Sequence, residues 1–202
     1  MRASDQVRLF IAVSIPDHIR APLDAAVAPL RTSLPQVRWV RPELWHLTLV
    51  FLGDRPLAKV EQIRDLAGQA SGGITPVTVG IRGIGAFPDM RRPRVLWAGV
   101  EPGAEELETL QRAIRAELVS AGLADADDHF SAHLTLGRVR DGISPTARTE
   151  IGHQWSAVTP PTLPSFEAGE IQLMRSQLGP GGPRYSSLYS IPLGAPNTTG
   201  AA

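Results

Sequence analysis

Along this chain the apolar positions change period several times, and each change marks an element. Residues 8–14 (RLFIAVS) form a short apolar run of strand character. Behind Asp17, an expected N-cap, Ile19, Leu23, Val27 and Leu30 recur at helical spacing. Pro22 and Pro29 fall inside that pattern, so the helix is expected to kink or split there. Residues 37–40 and 45–52 read as two further strands, the second closed by Gly53-Asp54. Asp54 is the expected cap of a second helix, with Pro56 in its first turn and Val60, Ile63, Ala67 and Ala70 on its core face. Gly72-Gly73 ends that helix.

Val77, Val79 and Ile81 alternate as a half-buried strand does, and residues 94–100 (RVLWAGV) give another strand. Glu105 and Glu106 stand where a helix N-terminus favours negative charge. Leu107, Leu110, Ile114 and Leu118 then share one helix face up to Gly122, and a strand follows over 132–139. Strand-like segments at 167–175 and 185–192 are joined by a turn-rich GPGGP. Residues 194–202 carry no apolar pattern and are expected to be a disordered tail. No low-complexity linker divides residues 1–193, which are expected to form a single domain. The element order predicts an α+β fold with helices outside a largely antiparallel sheet.

Two of these strands carry the same tetrapeptide. His46-Leu47-Thr48-Leu49 recurs unchanged as His133-Leu134-Thr135-Leu136, 87 residues later. Strand side chains alternate between faces, so His46 and Thr48 project from one side while Leu47, Leu49 and Phe51 project from the other. The second copy behaves alike, with His133 and Thr135 opposite Leu134 and Leu136. A lone histidine on a strand is usually structural, but two identical units account for two of only five histidines. The other three, His18, His129 and His153, have no matching context and are read as surface residues, the last two in loops.

A pair of imidazoles suits acid–base work near neutral pH, since one can be neutral while the other is protonated. Threonine hydroxyls can donate to the non-bridging oxygens of an anion. The set fits in-line displacement at phosphorus, with a base and an acid flanking the centre and no metal required. A strained cyclic phosphate is an electrophile within reach of such catalysis.

Composition narrows the alternatives. The 202 residues are 43% hydrophobic and 20% charged, ordinary for a soluble domain. Absence of cysteine removes disulfides, a thiolate nucleophile and zinc–cysteine sites. Formal net charge is zero, which argues against coating long nucleic acid by bulk electrostatics but leaves a local anion site open. Lys59 is the only lysine, the remaining basic residues being arginine, as a genome-wide composition bias would give. The N-terminal apolar stretch is too short to span a membrane and lacks a signal peptide's longer apolar region. A cytoplasmic monomer without cofactor is expected.

The two motifs, their spacing and their flanks resemble the 2H phosphoesterase superfamily, and within it the RNA 2′,3′-cyclic phosphodiesterases, also called 2′-5′ RNA ligases. RLFIAVSIP is similar to that family's first strand, WHLTLVFLG to its first motif and PRVLWAGV to its central strand. FSAHLTLGRV is similar to its second motif and RSQLGPGGPRYSSL to its closing hairpin, so the likeness runs to about Leu193. One departure is Ala132, where the family usually has proline.

The resemblance implies a bilobal fold, with two pseudo-symmetric lobes around a central cleft. It also implies metal-free hydrolysis of RNA 2′,3′-cyclic phosphate ends to 2′-phosphomonoesters, with 2′-5′ ligation as the reverse direction. It makes His46 the proton donor and His133 the acceptor, roles that the symmetric sequence cannot assign. Thr48 and Thr135 become phosphate ligands, joined by Arg138 if Gly137 bends the strand enough to turn it inward. Phe10 and Tyr185 are candidate substrate contacts, with core packing the competing role for each. Arg91, Arg92 and Arg94 are candidates for guiding an RNA backbone or simply a solvated run. Two other functions stay open: a cyclic phosphodiesterase of small nucleotides or ADP-ribose cyclic phosphate, and a nucleotide-binding module without turnover.

Overall fold

The computed structural model describes residues 5–126, 129–180 and 182–194. Its strands are β1 (Gln6–Ser14), β2 (Val37–Trp39), β3 (His46–Pro56), β4 (Val77–Val79), β5 (Ile81–Phe87), β6 (Val95–Val100), β7 (His133–Val139), β8 (Phe166–Ala168), β9 (Glu170–Gly179) and β10 (Gly182–Pro192). The helices are α1 (Asp17–Ser33), α2 (Val60–Ser71), α3 (Ala104–Ser120) and α4 (Pro145–Ser156). Eight strands form one sheet in the order β10-β9-β1-β3-β7-β6-β5, with β2 added to β7, while β4 and β8 pair separately. Every pairing is antiparallel, as expected of the α+β class.

The sheet is two half-sheets joined at the middle. β3 ends one run (β10-β9-β1-β3) and β7 begins the other (β7-β6-β5), and the two touch at Leu47 opposite Leu134. These are equivalent positions of the two motif copies, so a pseudo-twofold axis passes between them. Leu47, Leu49, Leu134 and Leu136 are at most 2% exposed and join one core cluster with buried residues of all four helices. The alternating apolar stripe thus anchors the joint, and the polar positions of the motifs are left on the opposite face.

Several local expectations change. α1 runs unbroken from Asp17 to Ser33, because Pro22 and Pro29 face solvent while Ile19, Leu23 and Val27 pack inward. Asp17 is its first residue, with Pro16 at the N-cap. Asp54 caps no helix. It lies in β3 opposite Arg8, and a 3-10 turn over Leu57–Lys59 precedes α2. The expected strand through Val77, Val79 and Ile81 is two strands, divided at Gly80, and the segment from Glu167 likewise divides at Gly169 into β8 and β9.

Helix α4 was not legible from periodicity, because only Ile151, Gly152 and Trp155 of it are buried. Its signal was the start: Ser144 accepts a hydrogen bond from the Ala147 amide and Pro145 takes the first turn. His153 therefore lies on a helix rather than in a loop, though it is exposed, as are His18 and His129. The expected tail, apart from Gly194, lies outside the described residues.

Candidate active site

The two motif copies are bent in the same way. β1 pairs Ala12 with Thr48 and Ile11 with Val50, leaving Leu49 as an extra residue in β3. β6 pairs Trp97 with Thr135 and Leu96 with Gly137, leaving Leu136 as an extra residue in β7. Each bulge falls on the fourth residue of its motif. A bulge inverts the alternation beyond it, so Leu49 and Val50 are both buried, and so are Leu136 and Gly137.

The inversion corrects two expectations. Phe51 does not join Leu47 and Leu49. It lines the cleft and is 53% exposed, with the Arg8 guanidinium 5.2 Å from its ring centroid. Arg138 reaches the cleft because of the extra residue Leu136, not because of flexure at Gly137. Gly137 serves a different purpose: a Cβ there would lie 2.5 Å from Val37 Cγ1 and 3.2 Å from Trp39, so its bareness admits β2.

His46, Thr48, His133, Thr135 and Arg138 all border one open cleft of about 430 Å³. Continuing the Leu47–Leu134 register by one residue sets His46 across from Thr135 and His133 across from Thr48. Each imidazole is tied back identically. His46 Nδ1 lies 2.7 Å from the Leu44 carbonyl oxygen, and His133 Nδ1 lies 2.7 Å from the Ser131 carbonyl oxygen. A carbonyl only accepts, so Nδ1–H donates in both and Nε2 is the nitrogen left for chemistry.

Aromatic rings back both imidazoles. Phe10 lies 4.7 Å and Tyr185 5.3 Å from the His46 ring. Phe87 lies 4.9 Å and Trp97 6.3 Å from that of His133. Burial against them holds both imidazoles below the usual histidine value, opposed by the carbonyl bonds. The Arg138 charge pushes both further down, as the neighbouring His133 does for His46. Burial also raises the Tyr185 phenol, with Arg138 opposing.

The profile of LigT like phosphoesterases matches residues 13–97 and 99–185, one His-Leu-Thr-Leu copy in each segment. The chain belongs to the LigT-like phosphoesterase family. It is 33% identical over 183 residues to the RNA 2′,3′-cyclic phosphodiesterase of Methanothermobacter thermautotrophicus, covering 91% of this chain and 97% of that one. With the protein of the same name from Archaeoglobus fulgidus the identity is 32% over 182 residues, covering 90% and 98%. Among solved structures, TT0787 of Thermus thermophilus superposes with a TM-score of 0.76 at 29% identity, over 93% of this chain and 98% of that one. Escherichia coli LigT complexed with 3′-AMP gives a TM-score of 0.74 at 25% identity, with the same coverage.

Of the other residues singled out in this LigT-like phosphoesterase, Phe10 is only 3% exposed and sits beneath His46 and Tyr185. It forms part of the cleft floor and offers no open ring for stacking. Tyr185 is half-buried at the cleft edge. Arg91 and Arg92 are exposed and anchored at Asp89, whose carboxylate accepts from both their amides, and neither they nor Arg94 line the cleft. Sequence reasoning missed Phe51, Arg38 and Arg41, all of which do. Phe51 and Arg138 occupy the same position, five residues after their histidines, and a comparison of the two copies that allowed for a shared bulge would have found Phe51.

Proposed function

We propose that this chain hydrolyses 2′,3′-cyclic phosphates at RNA ends to 2′-phosphomonoesters, with His46 as proton donor and His133 as proton acceptor. The observation that carries the reading is the pair of imidazoles in one cleft, each held by Nδ1 and each offering Nε2. Neutral His133 removes a proton from water as that oxygen bonds to phosphorus. The bond from phosphorus to the 3′ oxygen breaks, and that oxygen takes the proton from His46 Nε2. Solvent exchange then returns both imidazoles to their starting states.

Thr48 and Thr135 donate to the non-bridging oxygens, and Arg138 offsets their charge. Arg138 supplies the positive field without metal, and no group of three His, Asp or Glu side chains among the described residues is arranged as metal ligands are. A 5′-hydroxyl in place of water would make the same centre a 2′-5′ ligase in principle. Residues 1–193 are read as one bilobal domain, with one motif from each half. The relatives' names support the substrate class. No helix among the described residues is long and apolar enough to cross a membrane, and a cytoplasmic monomer remains our reading.

The test is mass analysis of the product from an oligonucleotide ending in a cyclic phosphate, with the 2′ and 3′ isomers separated by chromatography against standards of each. A gain of one water, with the phosphate retained on the 2′ oxygen, is expected. An untouched substrate would leave a binding module, and a 3′-phosphate would reverse which oxygen the acid serves.

A further inference from the structure

The two-histidine centre accounts for Arg138 but not for the strand beside it. β2 lies on β7 with Arg38 directly opposite Arg138, so both side chains leave the same face of the sheet. Arg38, Arg41 and Arg138 all line the cleft. Like charges directly opposed across an antiparallel pair destabilise it. Among the described residues no ion pair within 4.0 Å involves Arg38, Arg41 or Arg138, whereas Arg20, Arg31, Arg64 and Arg92 each have a carboxylate partner. A chain of zero formal net charge thus gathers three uncompensated guanidiniums on one wall of its cleft. An anion between them would remove the repulsion.

The three do not serve one place. Arg138 stands on β7, the strand that carries His133, whereas Arg38 stands on β2, which pairs with the far end of β7, and Arg41 follows β2 in the chain. Arg138, on the histidine strand itself, belongs with the reacting phosphate, and the other two line the cleft from the neighbouring strand and the residues after it. Both are exposed and line the cleft. A substrate that brings a single phosphate occupies Arg138 and leaves them unused. An RNA end brings a second phosphate, the phosphodiester preceding its terminal nucleotide.

We propose that Arg38 and Arg41 form a second anion subsite that takes the phosphodiester on the 5′ side of the terminal nucleotide. This rests on the cyclic phosphodiesterase reading above. It makes the enzyme selective for chain ends over mononucleotides, through charge rather than base identity. The pseudo-symmetry is broken here: the position equivalent to Arg138 in the first motif copy is Phe51, an aromatic ring. The second arginine-bearing strand therefore has no counterpart at Phe51, which offers a ring where the other copy offers a charge.

The experiment compares kcat/KM for adenosine 2′,3′-cyclic phosphate, the dinucleotide ApA 2′,3′-cyclic phosphate, and the same dinucleotide with an uncharged methylphosphonate linkage. The wild-type enzyme is expected to favour the charged over the uncharged dinucleotide by about tenfold, the scale of one charge-assisted hydrogen bond. That preference should fall as salt rises. The double variant Arg38→Gln with Arg41→Gln should erase it, while Arg38→Lys, which keeps the charge, retains most of it. Removing the repulsion should also leave the Tm of Arg38→Gln at low salt equal to or above that of the wild type.

Equal rates on the two dinucleotides in the wild type, or a preference that survives in the double variant, would overturn the subsite. So would a fall of several degrees in Tm for Arg38→Gln, because Arg38 would then be structural. If the wild type turns over none of the three, the phosphodiesterase reading fails. Equilibrium binding of the same three ligands then decides the subsite by the same preference.

Discussion

The proposed chemistry turns on two imidazoles whose surroundings are nearly the same, so on that reading their separate roles come from the substrate. His46→Ala and His133→Ala should each lower kcat by about 10²–10⁴, the usual worth of a positioned proton-transfer group. The double variant should be little worse than either single one, because the pair acts as a unit. A substrate whose leaving group needs no proton should rescue His46→Ala and not His133→Ala; equal rescue of both would void the assignment of acid and base. Both imidazoles titrate below the usual value of 6.5 in the free enzyme. The form with one proton on the pair is then most populated on the acid side of 6.5, and kcat/KM should peak there. A bound phosphate anion favours the protonated imidazoles, so the kcat profile should lie at higher pH. A kcat/KM optimum above pH 7 would contradict the burial of these rings.

At the scale of elements, the bulges and two close glycine contacts decide what faces the cleft. Trp97 backs His133 from β6, and across from it on β5 lies Gly85, where a Cβ would come 2.1 Å from the indole. Gly85→Ala should displace Trp97 and lower kcat at least several-fold without touching substrate, with a loss of about 1–3 kcal/mol in stability from overpacking. Denaturant unfolding and single-turnover rates measure the two effects separately. Gly85 also fixes α4, because its carbonyl accepts the buried Trp155 Nε1–H at 2.9 Å. Trp155→Phe removes that donor and should cost about 1–2 kcal/mol.

For the molecule as a whole, the two motif histidines stand at the joint between two half-sheets, so stability and the proposed activity share one place. Folding lowers the affinity of both imidazoles for protons, so the unfolded chain binds more protons than the folded one just below pH 6.5. Stability is therefore unaffected by these groups above that pH. It is lost as pH falls from 6.5 through their folded values. In melts at pH 7.5 and pH 5 the wild type should lose more than a variant with both histidines replaced by asparagine. Leu47→Ala, at the bridge to Leu134, should cost about 2–5 kcal/mol as a buried truncation. Turnover should survive excess chelator, and loss of activity restored by zinc or manganese would overturn the metal-free reading.

By itself the sequence determined the class of fold and the chemistry on offer. The apolar stripes of α1 and α3 were legible because burial imposes a period on each helix face. The histidine–threonine pairs were legible because strand alternation holds across the short stretch from His46 to Thr48 and from His133 to Thr135. Alternation fails one residue later, at Leu49 and Leu136, because a bulge depends on pairing with β1 and β6, which lie far away in the chain. The faces of Phe51 and Arg138 were therefore decided only by tertiary structure. So was the placing of Arg38 opposite Arg138, which requires β2 to lie across the bare backbone of Gly137. The identity of each group is local information, but the face it presents is a property of its neighbours in the sheet.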